Sequence, residues 1–294
     1  MYKNLTLNMF FLKSVNYLKR NFPFHCINDK SINDYLYKKK ISQKYSRKYK
    51  KIINECSYCL DEKPSRKKVV WFCWLQGIDQ APKLVRKCYE NIKNNLSEYE
   101  VVIITEDNFK NYISIPQYII DKWKKGIIYT PCFTDIIRIN LLIEYGGLWI
   151  DSTVLFTGDR LPKYIDSNLF MYKCYMNNEP WIVSSNWLIA ANKNNPILKL
   201  TRDLLYKYYE KRRIMEHYFM FHLLFALAAN RFKEEWEEVP LYNNVNPHML
   251  VRYLNIKYDE DRYLEIKKIS DFHKLNYKMD FIEGDTFYNK LMKE

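Results

Sequence analysis

Glycine is scarce in this sequence, with six Gly in 294 residues against 26 Tyr. So few glycines predict long secondary-structure elements joined by few glycine turns. The sequence contains neither a glycine loop of the P-loop or dinucleotide-binding type nor a Gly-x-Ser-x-Gly nucleophile elbow. No Ser-His-Asp arrangement can be argued from its five histidines either. These absences disfavour kinase, dehydrogenase and hydrolase functions.

Long apolar runs and paired cysteines are also missing. The longest apolar stretch, residues 219–229, reaches about half of the ~20 residues that span a bilayer and includes His222, so it predicts a core helix. The seven cysteines form an odd, scattered set, and we see no secretory signal. Both features are typical of free thiols in a reducing cytoplasm. Cys56 and Cys59 have zinc-like spacing, but no second pair or nearby histidine completes a site.

Positive charge is concentrated at the start of the chain. Residues 1–68 hold 17 Lys or Arg and 5 Asp or Glu, a balance of +12, whereas the other 226 residues balance at +1. Such a segment indicates an anionic partner, either membrane phospholipid or nucleic acid, or else a solvated lysine-rich helical face. Residues 5–22 have the spacing of a basic amphipathic helix, which favours a membrane surface. In the alternative, the apolar face of that helix packs on the protein itself.

From residue 68 onward, short apolar runs alternate with helical patterns. Residues 69–74 and 100–105 predict buried strands, and residues 83–95 predict the helix that joins them. This alternation with short connections predicts a parallel sheet with crossover helices. The other predicted elements are helices from 107 and over 115–125, one or two strands in 181–192, helices over 196–212, 216–238, from 246 and over 259–268, and a polar strand or loop at 273–278. We therefore expect an α/β domain over residues 68–294, with added C-terminal helices, after a basic helical segment over residues 1–67.

The most informative stretch is FTDIIRINLLIEYGGLWIDST, residues 133–153. Asp135 and Arg138 are three residues apart, so both side chains lie on one face of the predicted helix. Gly146 and Gly147 end that helix, because glycine takes the left-handed conformation that a helix C-terminus favours. The Asp135–Arg138 pair is either an ordinary ion pair that stabilises the helix or a means of recognising a sugar or diphosphate, since a guanidinium binds paired oxygens.

Asp151 follows a short apolar strand, residues 148–150, and therefore lies at its carboxyl end. In open α/β sheets, ligands bind at that end of the strands. With Ser152 and Thr153 behind it, the carboxylate suits Mg²⁺ or Mn²⁺, which take oxygen ligands and complete their coordination with water and substrate phosphates. An aspartate after a strand is also a common turn or helix-capping residue, so the position alone does not decide.

Among the histidines, His273 is the one placed to serve a metal and a phosphate together. Lys274 and Lys278 flank it on a polar segment, and imidazole is a common metal ligand. The predicted helix that carries His217 and His222 has an apolar face there, which favours a structural role for those two residues.

Several stretches resemble, in order, the motifs of one known family. FTDIIRINLLIEYGGLWIDST resembles the sugar-binding signature of the capsular polysaccharide synthesis proteins, a family related to glycosyltransferase family 32 and, more distantly, to the glucosylating clostridial toxins. The other matching stretches are VVWFCWLQGIDQAPKLVRKCYE, YEVVIITEDNFKNYISIPQYIIDKWKKG, SSNWLIAANKNNPILKL, FMFHLLFALA, VPLYNNVNPHML and HKLNYK. The resemblance covers roughly residues 68–278 and leaves the first 65 residues outside it.

The resemblance implies a GT-A type fold, a Rossmann-like nucleotide-sugar domain in which Mn²⁺ or Mg²⁺ holds the donor diphosphate. Asp151 would be the first acid of an Asp-x-Asp element whose second position is Thr153 here, and a hydroxyl is a weaker metal ligand than a carboxylate. The implied sets are Asp135, Arg138 and Asp151 for catalysis; Trp74, Gln76, Asp135, Arg138, Asn186 and Lys274 for donor binding; and Asp151, Thr153 and His273 for the metal.

The resemblance also implies a function. We expect a metal-assisted, retaining glycosyltransferase of the hexosyltransferase type, with a UDP-sugar as donor and a surface polysaccharide or its lipid-linked precursor as acceptor. The basic start would hold it from the cytoplasm at the inner face of the membrane. A first alternative is a transferase of the same fold that modifies a protein acceptor. A second is a non-catalytic nucleic-acid-binding protein, which would not need the aligned carboxylates, so we expect no nucleic-acid partner.

Overall fold

Seven strands form two sheets in the computed structural model, which describes residues 30–61, 63, 65–174 and 180–293. The strands are β1 (Val69–Cys73), β2 (Glu100–Ile104), β3 (Gly147–Ile150), β4 (Val154–Phe156), β5 (Leu169–Lys173), β6 (Ser184–Ala191) and β7 (Phe272–Lys274). Five of them form a central sheet in the order β2-β1-β3-β6-β5, and β4 pairs with β7 in a small second sheet. The α/β class expected from the sequence is confirmed.

The central sheet is mixed rather than wholly parallel. β1 pairs in parallel with β2 and with β3, as predicted, whereas β6 runs antiparallel to both β3 and β5. The prediction of a parallel sheet was wrong for β6, whereas β5, which is antiparallel to β6, runs in the same direction as β3. A parallel β5–β6 pair would need a crossover of about a dozen or more residues. β5 ends at Lys173 and β6 begins at Ser184. That link is too short for a crossover helix.

The described residues form twelve α-helices. They are α1 (Lys30–Lys48), α2 (Lys50–Glu55), α3 (Lys83–Asn95), α4 (Phe109–Tyr112), α5 (Gln117–Lys124), α6 (Thr130–Tyr145), α7 (Pro196–Glu210), α8 (Met220–Arg231), α9 (Lys233–Glu237), α10 (Met249–Tyr253), α11 (Glu260–Ile269) and α12 (Phe287–Lys293). Short 3₁₀ turns lie at Ile78–Gln80, Lys163–Asp166 and Asn246–His248.

Most predicted elements are confirmed, but one predicted helix is divided and three elements were not predicted. β2, predicted as a buried strand, is a half-buried edge strand. The helix predicted over 216–238 is two helices, α8 and α9, because the chain leaves helical geometry at Phe232, where φ is −108° and ψ is 59°. Strands β4 and β5 and helix α12 were not predicted. α8 is the core helix expected from the longest apolar stretch, since most of its side chains are buried. Among the described residues, no helix is both long enough and apolar enough to cross a bilayer.

Helix α6 ends at the double glycine, as predicted. Gly146 has φ +66° and Gly147 has φ +101°, both in the left-handed region. Space is also short, because a Cβ on Gly147 would lie 2.7 Å from Cγ1 of Val69 and one on Gly146 would lie 2.8 Å from the carbonyl oxygen of Ala191. The chain therefore passes from α6 directly into β3, and Asp151 follows at the carboxyl end of that strand.

The described part of the basic N-terminal segment is helical and packs on the sheet domain. Ile41, Tyr45 and Tyr49 recur every four residues and are buried in the apolar cluster that also includes α8. This spacing is the stripe of an amphipathic helix that packs on a protein core. The amphipathic helix predicted over residues 5–22 lies outside the described residues. The boundary predicted after residue 67 falls in the link between α2 and β1.

Candidate active site

A cavity of about 750 Å³ opens at the carboxyl ends of β1 and β3. β1 leads directly into Trp74, and β3 leads into Asp151, so both side chains line the cavity. β6 runs in the opposite direction to β3, which brings Asn186, near the start of β6, to the same edge. Helix α6 contributes Asp135 and Arg138 from below the edge. The cavity therefore lies where α/β sheets usually bind ligands.

Arg138 joins the two carboxylates at the floor of the cavity. Its Nη2 lies 3.2 Å from Oδ1 of Asp135 and 3.3 Å from Oδ1 of Asp151. Its Nη1 donates a hydrogen bond to the backbone oxygen of Asn186, and its guanidinium carbon lies 4.8 Å from the centroid of the Trp149 ring. The side chain is only 5% exposed, so water screens these charges little. One guanidinium thus connects the helix motif to the strand motif.

Asp135 is the more deeply buried of the two acids. The Nδ2 of Asn186 donates a hydrogen bond to its Oδ1 at 2.9 Å. Burial raises the pKa of the Asp135 carboxyl to about 6, with the positive charge of Arg138 opposing the rise and the negative charge of Asp151 adding to it. Asp135 is therefore ionised at neutral pH and takes up a proton in mildly acid solution.

Asp151 presents its carboxylate to the cavity. The indole Nε1 of Trp149 donates to its Oδ1 at 2.9 Å, since residues two apart on a strand face the same side. The Nζ of Lys274 lies 3.6 Å from its Oδ2 and also donates a hydrogen bond to the hydroxyl of Thr153. Because the Asp151 side chain is 23% exposed, Oδ2 is the oxygen through which it can reach a ligand.

One wall of the cavity carries positive charge. It consists of Trp74, Gln76, Lys274, Tyr277 and Lys278, here called the cationic wall. The rings of Trp74 and Tyr277 meet edge to face, with their centroids 5.4 Å apart. The indole nitrogen of Trp74 is buried without a hydrogen-bond partner among the described residues. Two ammonium groups beside an aromatic pair suit a nucleoside diphosphate, since lysine binds phosphate and flat rings pack on a base.

A second wall consists of Thr130, Thr134, Tyr218, Phe219 and His222, here called the aromatic wall. It is built by the start of α6 and by the chain that enters α8. Burial lowers the pKa of His222 to about 4, so none of the five side chains carries a formal charge at neutral pH. No motif in the sequence marks this wall, because exposed aromatic residues before a helix form none and an apolar helix face suggested a structural role for His222.

His273 does not reach this cavity, contrary to its predicted role as a metal ligand. It is fully buried in β7, where its Nε2 lies 2.9 Å from the hydroxyl oxygen of Thr157. Neighbouring residues of a strand face opposite sides, so Lys274 reaches the cavity and His273 does not. Within the described ranges, no cluster of three His, Cys, Asp or Glu side chains is placed to hold a metal ion.

The structure brings the other predicted site residues together. Those that line the cavity are Trp74, Gln76, Asp135, Arg138, Asp151, Thr153, Asn186 and Lys274. They come from α6 and from one end of each of β1, β3, β6 and β7, so only the fold brings all eight into one cavity.

Nearly the whole chain matches a family of known proteins. The match extends over residues 20–291, and the family is described as capsular polysaccharide synthesis protein. The chain belongs to this family. Since the match begins at residue 20, it includes helices α1 and α2, and the limit near residue 68 that the motifs suggested was wrong. No curated protein matches the chain.

Two solved structures are similar to this capsular polysaccharide synthesis protein. One is PaToxG Glycosyltransferase, at 15% identity and a TM-score of 0.37, with 71% of this chain and 86% of that chain covered. The other is the apo form of glycosyltransferase GlyE from Streptococcus pneumoniae TIGR4, at 12% identity and a TM-score of 0.38, with 78% of this chain and 60% of that chain covered. The present chain therefore spans less than two thirds of the GlyE chain.

In this family member, helix α1 anchors the loop that carries part of the aromatic wall. The anchor is Glu216, which lies in the loop between α7 and α8. Its carboxylate lies 2.6 Å from Nζ of Lys44 and accepts a hydrogen bond from the Tyr45 hydroxyl at 2.5 Å. It also lies 3.1 Å from Nη2 of Arg212, and its backbone N–H donates to the Tyr208 hydroxyl at 2.8 Å. The N-terminal helix is therefore part of the support of the cavity.

Proposed function

We propose that the chain is a glycosyltransferase that moves a sugar from a nucleotide-sugar donor, with a UDP-sugar as the expected donor, to a surface polysaccharide or its lipid-linked precursor. The observation that carries the proposal is the union of Asp135, Arg138 and Asp151 at the floor of one cavity, beside the cationic wall. Membership of the capsular polysaccharide synthesis family supports it. The sheet-edge position of the cavity also agrees with a GT-A type domain.

The leaving group sets the main chemical demand on the site. When the glycosidic bond to a nucleoside diphosphate breaks, negative charge develops on the departing phosphate oxygen. Lys274 and Lys278 of the cationic wall would bind the diphosphate, and Lys274 lies 3.6 Å from Asp151. Arg138, which both carboxylates hold in one orientation, would bind hydroxyls of the donor sugar or ribose.

Asp151 fits a hard divalent cation, whereas the other two predicted ligands fit poorly. Mg²⁺ is commonly held by one or two carboxylates together with substrate phosphates and water. The Thr153 hydroxyl already accepts a hydrogen bond from Lys274, and His273 lies outside the cavity. We therefore propose that Mn²⁺ or Mg²⁺ binds through Asp151 and the donor diphosphate, where it would neutralise charge on the leaving phosphate.

Transfer forms one bond and breaks one bond at the anomeric carbon. The acceptor oxygen bonds to that carbon, and the bond from carbon to diphosphate oxygen breaks with its electron pair. Among the described residues that line the cavity, the acids are Asp135 and Asp151, and both are held by Arg138. Ion-paired carboxylates are poor nucleophiles, which supports a retaining transfer in which the leaving diphosphate takes the proton of the acceptor hydroxyl.

The basic N-terminal segment supports a location beside an anionic membrane, where lipid-linked acceptors reside. Helices α1 and α2 expose Lys39, Arg47, Lys48 and Lys50, and such a cluster attracts acidic lipids. Binding of the full-length protein to phosphatidylglycerol vesicles should fall steeply as salt rises. Equal binding to neutral phosphatidylcholine vesicles would contradict this part of the proposal.

Replacement of Asp151 tests the proposed function. Asp151→Asn keeps the shape of the side chain but removes the charge that would hold the cation, so donor hydrolysis and transfer should fall at least about 100-fold. Asp107→Asn, at an exposed position outside the cavity, is the matched control and should retain activity. Thermal unfolding of both variants would show that the fold survives. Full activity of Asp151→Asn would refute the site assignment.

A further inference from the structure

The aromatic wall is an exposed surface that the binding of a nucleoside diphosphate does not require. Tyr218 is 51% exposed and Phe219 is 37% exposed, and their rings meet edge to face with centroids 5.3 Å apart. Large aromatic side chains exposed beside a cavity mark a surface for a ligand. The diphosphate needs cations, and the two described lysines that line the cavity, Lys274 and Lys278, belong to the cationic wall.

His222 adds a hydrogen-bond acceptor to this apolar surface. Its Nδ1 lies 3.0 Å from the backbone oxygen of Ser184. A carbonyl oxygen only accepts, so Nδ1 carries the proton, and in a neutral ring Nε2 is then the acceptor. Because burial lowers the pKa of His222 to about 4, the ring stays neutral at physiological pH. The hydroxyls of Thr130 and Thr134 are further polar groups on the same wall.

We infer that the aromatic wall is the acceptor site and that the acceptor binds there as a saccharide. This inference rests on the proposed function and adds the place and class of the second substrate. A sugar ring has apolar C–H faces that pack on Tyr218 and Phe219, and peripheral hydroxyls that can donate to Nε2 of His222. Since the wall and Asp151 share one cavity, a saccharide bound there can present a hydroxyl to the donor sugar.

The charge and polarity of the wall disfavour other occupants. An acidic peptide or a nucleic acid would find no cation among Thr130, Thr134, Tyr218, Phe219 and His222. The Lys38 ammonium lies 5.3 Å from the centroid of the Phe219 ring, but it is paired with Asp34 at 2.7 Å. A bare lipid chain would bury Nε2 of His222 without a donor, which costs free energy. A ligand that is apolar on its faces and rich in hydroxyls at its edges satisfies both kinds of group.

The loop that presents the wall is held before any acceptor arrives. The carboxylate of Glu216, two residues before Tyr218, pairs with the Lys44 ammonium and accepts a hydrogen bond from the Tyr45 hydroxyl, both on α1. Cys132, in α6, contributes a contact of 3.6 Å between its sulfur and the backbone oxygen of Tyr218. Such anchoring lowers the ordering cost that binding would otherwise carry. The backbone that carries the two rings is therefore held in place.

The test separates acceptor binding from donor binding in the full-length protein. The double variant Tyr218→Ala with Phe219→Ala is compared with the wild type in two assays. Calorimetry measures the Kd for UDP, and transfer from a panel of UDP-sugars to a panel of methyl glycosides measures the KM for the acceptor. We expect the acceptor KM to rise at least about tenfold while the UDP Kd changes less than about twofold.

The control is Ile214→Ala. Ile214 is 76% exposed on the same loop and does not line the cavity, so its replacement should leave both constants unchanged. An acceptor KM that is unchanged in the double variant would overturn the inference. So would the failure of every methyl glycoside to bind the UDP-loaded wild type in saturation-transfer NMR. If the wild type binds neither UDP nor any UDP-sugar, the proposed function fails, and that result is recognised before any acceptor is added.

Discussion

The indole nitrogen of Trp149 donates a hydrogen bond of 2.9 Å to Oδ1 of Asp151. Trp149 is 1% exposed and packed in the main core, so its ring cannot turn away. One oxygen of the carboxylate is therefore fixed from inside the protein, and the other faces the cavity. This contact converts a flexible acid at a strand end into a group of defined direction.

Replacing Trp149 should therefore affect activity more than its loss of volume explains. Trp149→Phe removes the donor to Asp151, and we expect transfer to fall about tenfold and the free energy of unfolding to fall by about 1–3 kcal/mol. Trp71→Phe is a matched control, because Trp71 is also buried in the central sheet and donates instead to the Gly146 backbone oxygen at 2.9 Å. The control should lose similar stability but little transfer. Equal activity losses would contradict the orienting role.

Arg138 should not tolerate lysine. A lysine keeps the charge but cannot reach Asp135, Asp151 and the Asn186 backbone oxygen at once. We expect Arg138→Lys to lower the free energy of unfolding by about 3 kcal/mol, since a buried charge pair is disrupted, and to remove measurable donor binding. Chemical denaturation and calorimetry with UDP provide the two measurements.

The control for this change is Arg202→Lys. Arg202 forms an ion pair of 3.0 Å with Asp203, but its side chain is 25% exposed. Such a pair contributes little, so the free energy of unfolding should change by no more than about 1 kcal/mol. A small effect at both arginines would mean that the floor of the cavity does not depend on the guanidinium.

Chelation should show whether a divalent cation or the lysines neutralise the charge on the leaving phosphate. If Asp151 and the diphosphate hold Mn²⁺ or Mg²⁺, treatment with EDTA should abolish donor hydrolysis, and added Mn²⁺ or Mg²⁺ should restore it. Lys274→Met should weaken UDP binding at least about tenfold even with the cation present, because a phosphate contact is lost. Full activity in EDTA would instead assign the whole task to Lys274 and Arg138.

Activity should decline as the pH falls through about 6. Burial raises the pKa of Asp135 to about 6, so acidification protonates it and removes its ion pair with Arg138. Its effect on stability has the opposite sign. Because its pKa is raised above the ordinary 3.8, the folded protein binds this proton more tightly than the unfolded chain, and this residue adds stability as the pH falls from 6 towards 4.

Two variants isolate that pH dependence. Asp135→Asn should show lower transfer at every pH, and its activity should no longer decline as the pH falls through about 6 (the acid limb of the pH profile). His222 has a lowered pKa of about 4, so it removes stability over the same interval, and His222→Asn should eliminate that opposing contribution. Rates and thermal unfolding measured from neutral to mildly acid pH provide the comparison. An acid limb that persists unchanged in Asp135→Asn would assign the titration to another group.

Local pattern was sufficient for much of the fold and for the floor of the site. The period-three spacing of Asp135 and Arg138, the double glycine and the strand before Asp151 each depend on neighbouring residues, and the structure shows the helix, the break and the strand in that order. The contact between Arg138 and Asp151 could be expected once both were placed at one sheet edge.

The remainder depends on relations that no local pattern records. A shift of one residue along β7 decides that Lys274, and not His273, faces the cavity. The antiparallel course of β6 follows from a short link after β5, and the aromatic wall appears only when the start of α6 meets the chain that enters α8. These are tertiary facts, so the sequence alone predicted neither wall correctly in full.

The contacts of Glu216 with Lys44 and Tyr45 limit how far this protein can be truncated from its N-terminal side. A shortened protein starting at residue 68 would lose the contacts of α1 with the loop between α7 and α8. It would also expose the apolar surface on which Ile41 and Tyr49 pack. We expect the shortened protein to aggregate during purification and to discriminate poorly among acceptor sugars, although every cavity residue at the sheet edge is retained.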